Sequence, residues 1–206
     1  RLIMKILRRI ESNINERYID TAVNALRDGG IIIYPTDTLY AIGCDALNNS
    51  AIERVCAMKQ KENSRSTLTI ICSHISEVAK YVKLSDDNFR LMRKNVPGPF
   101  TFILPALNKL PKVFKGRKMA GVRIPDNAIA RKSVEELGHP ILSTTVEGSD
   151  EDYLCEPELI MESYDHLDVD YILDAGRSGA VPSTVVDLSG DEPEIIREGK
   201  QQLEWT

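Results

Sequence analysis

The chain is predicted to be an α/β protein, and three observations carry that expectation. Short apolar runs rich in β-branched residues recur along it. Helical periodicities lie between most of them, and several runs end abruptly in small polar or cationic residues. Residues 29–46 show the pattern best. Ile31, Ile32, Ile33 and Tyr34 lack polar alternation, as a strand covered on both faces does. Pro35 cannot donate to a sheet ladder and marks the strand's end. Thr36, Asp37 and Thr38 then fall where the carboxyl end of a buried strand opens into a crevice.

Taken in order, Asp20 is read as the N-cap of a helix carrying Ala22, Val23 and Leu26, closed by Gly29 and Gly30. After the 31–34 strand, Ser50 with Glu53 makes a capping-box pattern for a helix bearing Ile52, Val55 and Met58. Residues 67–72 read as a second buried strand. Helical signals cover 76–82 and 86–94, where Phe89 and Met92 share a face, and Val96-Pro97-Gly98-Pro99 must stop the second. Residues 100–104 and 120–124 read as strands. Asp126 is expected to cap a helix with Ala130, Val134 and Leu137, closed by Gly138. Residues 141–145, 171–173, 184–188 and 194–197 read as further strands, and no internal repeat is visible.

Composition sets the frame. At 206 residues, 42% hydrophobic and 28% charged, the chain suits a soluble globular protein of one domain over residues 1–206. The opening apolar run is too short and too charged for a signal peptide or membrane span, and with Arg at residue 1 a start at Met4 is conceivable. A net charge of −5 argues against a wholesale nucleic-acid coat but leaves room for a local basic patch. Cys44, Cys56, Cys72 and Cys155 lack paired-ligand spacing, and His139 and His166 stand alone. No metal site is predicted, and buried thiols in a reducing cytoplasm are expected.

The polar clusters admit two readings each. Lys59 and Lys61, with Arg65 nearby, can reach one polyphosphate if extended, or can simply solvate a helix end and complement its dipole. Arg123, inside Gly121-Val122-Arg123-Ile124-Pro125, needs an anion, either a structural carboxylate or a ligand. Ser143, Thr144 and Thr145 emerge from an apolar strand. The loop Gly176-Arg177-Ser178-Gly179, followed by Ser183, either offers backbone N–H groups to a phosphate or is an ordinary turn. Arg197 ends another apolar run, free for a ligand or paired with a neighbouring acid. There is no Walker A sequence and no GxGxxG.

In this order the pieces resemble the YrdC-like family, whose catalytic members are threonylcarbamoyl-AMP synthases. The matching segments are Tyr34-Pro35-Thr36-Asp37-Thr38-Leu39-Tyr40, Lys59-Gln60-Lys61, Pro97-Gly98-Pro99-Phe100-Thr101-Phe102-Ile103-Leu104 and Val122-Arg123-Ile124-Pro125. They continue with Ser143-Thr144-Thr145, Ser183-Thr184-Val185-Val186-Asp187 and Ile196-Arg197-Glu198-Gly199. The resemblance spans about residues 20–199. Leu142-Ser143-Thr144-Thr145 and Arg197-Glu198-Gly199 look most like the YciO branch.

The resemblance implies a twisted, mixed sheet flanked by helices with a concave ligand site. It implies an ATP-dependent nucleotidyl transfer in which L-threonine and bicarbonate give a carbamate that attacks the α-phosphate of ATP. Pyrophosphate leaves, and the threonylcarbamoyl-AMP formed serves tRNA adenosine modification. By resemblance Thr36, Arg123 and Ser183 hold threonine, and Lys59 and Lys61 meet the phosphates with magnesium sharing the charge. Ser143, Thr145 and Arg197, with Lys59, hold the nucleotide. Three positions depart from the catalytic pattern. Lys61 stands for an arginine, Glu62 for a proline, and Thr145-Val146-Glu147 for Ser-x-Asn. These departures suit the alternative, a non-catalytic protein that binds tRNA or double-stranded RNA with the same concavity.

Overall fold

The run 31–34 is buried on both faces, with no residue more than 1% exposed, and Ile32–Tyr34 is strand β2. In the computed structural model, residues 4–8, 16–58, 68–146 and 154–206 are described. Among them are ten strands. Besides β2 these are β1 (Lys5–Arg8), β3 (Ala41–Gly43), β4 (Thr69–Ile71), β5 (Phe100–Pro105) and β6 (Met119–Arg123). The rest are β7 (Ile141–Thr145), β8 (Tyr171–Asp174), β9 (Thr184–Asp187) and β10 (Glu194–Arg197). They form one twisted sheet in the order β1-β8-β2-β3-β7-β4-β6-β5-β9-β10. The sheet is mixed: β4 runs parallel to β6 and β5 to β9, whereas β7 is antiparallel to β3 and β4.

Seven helices flank the sheet among the described residues: α1 (Glu16–Arg27), α2 (Asn49–Met58), α3 (Ile75–Val78), α4 (Asp86–Asn95), α5 (Lys112–Arg117), α6 (Ala128–Leu137) and α7 (Pro157–Tyr164). None is long and apolar enough to cross a membrane. Several boundaries differ from the sequence expectations. Asp20 lies inside α1, which starts a turn earlier. The cap of α2 is Asn48, whose Oδ1 accepts from the Ala51 N–H at 3.0 Å, not Ser50. The cap of α6 is Asn127, accepting from the Ala130 N–H at 3.0 Å. The Asp126 N–H is itself a donor to Asp37. Expected end signals held elsewhere. Gly138 closes α6 at φ 89°, a left-handed conformation costly for a residue with a Cβ.

Missed elements share weak local signals. Strand β3 is three small or apolar residues returning along β2; α5 contains Gly116; α7 is marked only by Pro157 at its first turn. The helix expected over 76–82 is the single turn α3. Of the cysteines expected to be buried, Cys44 and Cys72 are, and burial pushes the Cys44 thiol up to about 12. Cys56 and Cys155 are half-buried.

The two sheet faces are treated differently. On one, α2, α4, α5 and α7 cover a large core containing Phe100, Phe102, Leu104, Val122 and Leu142. On the other, α1 and α6 are the described helices that pack down, over Ile32, Tyr34, Ala41, Ile71, Ile141 and Leu173. Each fully buried aliphatic side chain contributes about 1.5–3 kcal/mol relative to exposure. The second layer ends part-way along the sheet. Strand β5 shows the consequence, with Phe100, Phe102 and Leu104 fully buried while Thr101 and Ile103, on the alternate face, are not.

Candidate active site

Where α1 and α6 stop, the exposed part of that second face forms a cleft of about 240 Å³. The period-2 rule selects its lining. Thr69 of β4 pairs with Ser143 of β7, two residues along from the covered pair Ile71 and Ile141, so all four share one face. Thr101 comes from β5 and Arg123 from the end of β6. Ser183 precedes β9, and Arg197 closes β10. Thr145 lines the same cleft. Five sequence-predicted residues, Arg123, Ser143, Thr145, Ser183 and Arg197, are therefore brought together. Lys59 and Lys61 lie outside the described residues, as do Glu62 and Glu147.

Arg123 resolves half of its two readings. Its Nη2 donates to Asp37 Oδ1 at 2.7 Å and to Thr38 Oγ1 at 3.2 Å, with side chains only 9% and 7% exposed for the arginine and the aspartate. A structural carboxylate thus exists, but its bonds engage one nitrogen. Arg123 Nε is buried without a partner among the described residues. Burial pulls the guanidinium below the ordinary arginine range, Asp37 offsets this, and nearby Arg197 adds to the lowering. Asp37 Oδ2 accepts from the Asp126 N–H at 2.9 Å, and its carbonyl accepts from Lys200 Nζ at 2.5 Å.

Thr36 sits beside the cleft rather than in its lining. Its hydroxyl donates to the Leu39 carbonyl at 2.6 Å and accepts from the Thr38 N–H at 3.1 Å, the side-chain-to-backbone pattern of a tight turn. Its Oγ1 is also 3.1 Å from Thr38 Oγ1, which places it one hydroxyl from Arg123.

The opposite wall is built around Ser183. Arg197 donates through Nε and Nη2 to the Ser183 carbonyl, at 3.2 and 2.9 Å, and Nη2 lies 3.4 Å from Ser183 Oγ. Ser183 Oγ is 2.7 Å from Thr101 Oγ1. Gly199 permits this wall. A Cβ there would sit 2.4 Å from the Pro182 carbonyl oxygen, so only glycine lets the 198–200 turn press onto residues 182–184. Under the floor, the Tyr34 hydroxyl donates to the Leu142 carbonyl at 3.2 Å, and burial pushes its pKa well upward, with the neighbouring Ser143 offsetting part of the rise.

The glycine loop 176–179 does not line the cleft, and two of its N–H groups are already engaged. The Gly176 N–H is spent on Asp174 Oδ1 at 2.9 Å and the Ser178 N–H on the Cys155 carbonyl at 2.9 Å. Tyr40, its pKa raised to about 12 by burial, ties the loop down by donating to the Gly176 carbonyl and accepting from the Ala175 N–H. Sequence reasoning placed Asp37 at the crevice without a partner and gave no role to Thr69, Thr101 or Lys200. The alternation of Phe100, Thr101 and Phe102 was the one signal available for Thr101.

These features define an α/β domain whose half-covered sheet face holds a cleft of hydroxyls and two arginines, suited to anionic groups. The family model Sua5/yciO/yrdC, described as telomere recombination, matches residues 24–199, and the chain belongs to this family. It is 38% identical to the uncharacterised protein YciO of Escherichia coli over 190 residues, 91% of each chain. The crystal structure of that YciO superposes with a TM-score of 0.90 at 36% identity, covering 98% of both chains. The family includes a threonylcarbamoyl-AMP synthase from Pyrococcus abyssi, 27% identical over 98% of this chain and 59% of that one. The structure of Pyrococcus abyssi Sua5 complexed with L-threonine aligns with a TM-score of 0.85 at 27% identity, over 96% of this chain and 57% of the other.

Proposed function

We propose that the chain makes threonylcarbamoyl-AMP from L-threonine, bicarbonate and ATP, for tRNA adenosine modification. The observation that supports this most is the convergence of Arg123, Ser143, Thr145, Ser183 and Arg197 on one cleft, in a family with a threonine-complexed member. In this reading the Arg123 donors not engaged by Asp37 meet the threonine carboxylate, with Thr36 and Ser183 beside it. Ser143, Thr145 and Arg197 face the nucleotide, and Lys59 and Lys61 meet the phosphates.

The chemistry balances without a protein nucleophile. The threonine amine and bicarbonate give a carbamate and water. A carbamate oxygen then bonds to the α-phosphorus as the bond to pyrophosphate breaks. Positioning and neutralisation of charge carry such a step. Magnesium would be carried mainly by the polyphosphate and its waters, sharing the phosphate charge with Lys59 and Lys61. No step is assigned to that ion.

Pyrophosphate release from ATP that requires both threonine and bicarbonate is the test. Nucleotide affinity should fall as salt rises, because Lys59, Lys61 and Arg197 supply screenable charge. Lys61 in place of arginine favours a second reading, an RNA-binding protein of cytoplasmic location without turnover. RNA binding with no pyrophosphate release would select it.

A further inference from the structure

We propose that Asp37 is a positioning residue that aims Arg123 at the substrate carboxylate and never touches substrate itself. The inference rests on the reading that Arg123 takes that carboxylate. Both Asp37 oxygens are already committed, Oδ1 to Arg123 Nη2 and Oδ2 to the Asp126 N–H, at 2.7 and 2.9 Å. The carboxylate therefore has a fixed plane, set by the backbone at the start of α6. Its own segment is fixed as well. Asn127 Nδ2 donates to the Thr36 carbonyl at 3.3 Å, and Lys200 Nζ reaches the Asp37 carbonyl from the far wall.

An arginine carries five N–H donors in a rigid fork on a long, flexible stem. Asp37 and Thr38 hold one corner of that fork, Nη2, and no other nitrogen of it. Holding one corner of a planar group with two acceptors fixes its plane and so the direction in which Nη1 points. Nε, on the edge it shares with Nη2, is buried with no partner among the described residues. Asp37 thus removes the rotamer freedom that substrate binding would otherwise have to freeze, which is how supporting side chains raise affinity. Its charge also keeps the buried guanidinium ionised against the desolvation that opposes it.

The test measures steady-state kinetics and arginine NMR on full-length protein. Asp37→Asn should raise the threonine KM tenfold or more, with the ATP KM within twofold and kcat little changed. Asp37→Ala should raise it further. Leu26→Ala, which destabilises the covered half of the sheet, should keep the wild-type threonine KM. An unchanged threonine KM in Asp37→Asn, or an equal rise in Leu26→Ala, would overturn the proposal. A second readout needs no substrate. The Arg123 Nε–H proton should exchange at least tenfold faster in Asp37→Asn than in the wild type, and equal exchange also overturns the proposal. If the wild type shows no threonine-dependent reaction, the functional reading fails. The exchange comparison then decides alone whether Asp37 orients Arg123.

Discussion

Two halves of one sheet face follow opposite rules. Under α1 and α6 the face is Ile32, Tyr34, Ala41, Ile71, Ile141 and Leu173, all buried and apolar. Two residues further along β4 and β7 it becomes Thr69 and Ser143, with Arg123 of β6 and Thr101 of β5 beside them. Strand β4 crosses the boundary within three residues, from Thr69 to Ile71. The backbone is equally regular on both sides. What changes is whether a helix lies above, so the covering helices and not the sheet decide where the site can be. In the covered half, side chains gain by excluding water. In the open half, hydroxyls and guanidinium groups keep hydrogen-bonding capacity that a ligand can take up.

The contrast predicts different penalties. The largest belongs to the boundary. Arg123→Met leaves Asp37 buried without its countercharge and should cost about 3–5 kcal/mol in chemical denaturation. Pairing it with Asp37→Leu should recover most of that stability but no threonine binding, because the pair is dispensable to folding in a way the ligand contact is not. If the double variant stays as unstable as the single one, the open half is structural after all.

In the covered half Leu26→Ala, at a fully buried position of α1, should cost about 2–5 kcal/mol and leave ligand affinity untouched. Calorimetry with threonine and with ATP on the folded fraction checks this. Arg123→Lys keeps the charge and loses the fork. It should weaken threonine binding by about 1–3 kcal/mol while sparing nucleotide affinity. A drop in melting temperature with unaltered threonine affinity would instead assign Arg123 to the fold alone.

The smallest effect concerns pH. The Tyr40 hydroxyl, folded pKa about 12, titrates above the ordinary tyrosine value because burial disfavours its anion. A raised pKa means that its contribution is complete below about pH 10 and is lost as pH climbs through 12. Tyr40→Phe should cost about 1 kcal/mol at neutral pH. It should also flatten the alkaline limb of the stability curve between pH 10 and 12, measured by urea melts.

Much of this was readable in the residues beforehand, for physical reasons. Doubly covered strands such as β2 announce themselves because nothing but apolar β-branched or aromatic residues fits there. Arg123 stood out because a guanidinium in an apolar run demands an anion. Which anion was not readable: Asp37 lies 86 positions away, and only the fold brings it within 2.7 Å. The caps of α2 and α6 were misplaced by two residues and one because Ser50 and Asp126 are as good cap formers as Asn48 and Asn127. Thr101 escaped notice because its role follows from facing the uncovered side of β5, and coverage is set by helices elsewhere in the chain.

The seat of Gly199 against Pro182 bears on how the protein is made. Arg197 and the turn that follows it leave the ribosome after every other part of the cleft, and β9 must already have found β5, more than 80 positions upstream, for that turn to have a surface to press on. A nascent chain lacking these last residues can hold most of its core but has only one wall of the cleft. A cleft with both walls in place is thereby a late event in the life of each molecule, available only to chains whose translation has run past Gly199.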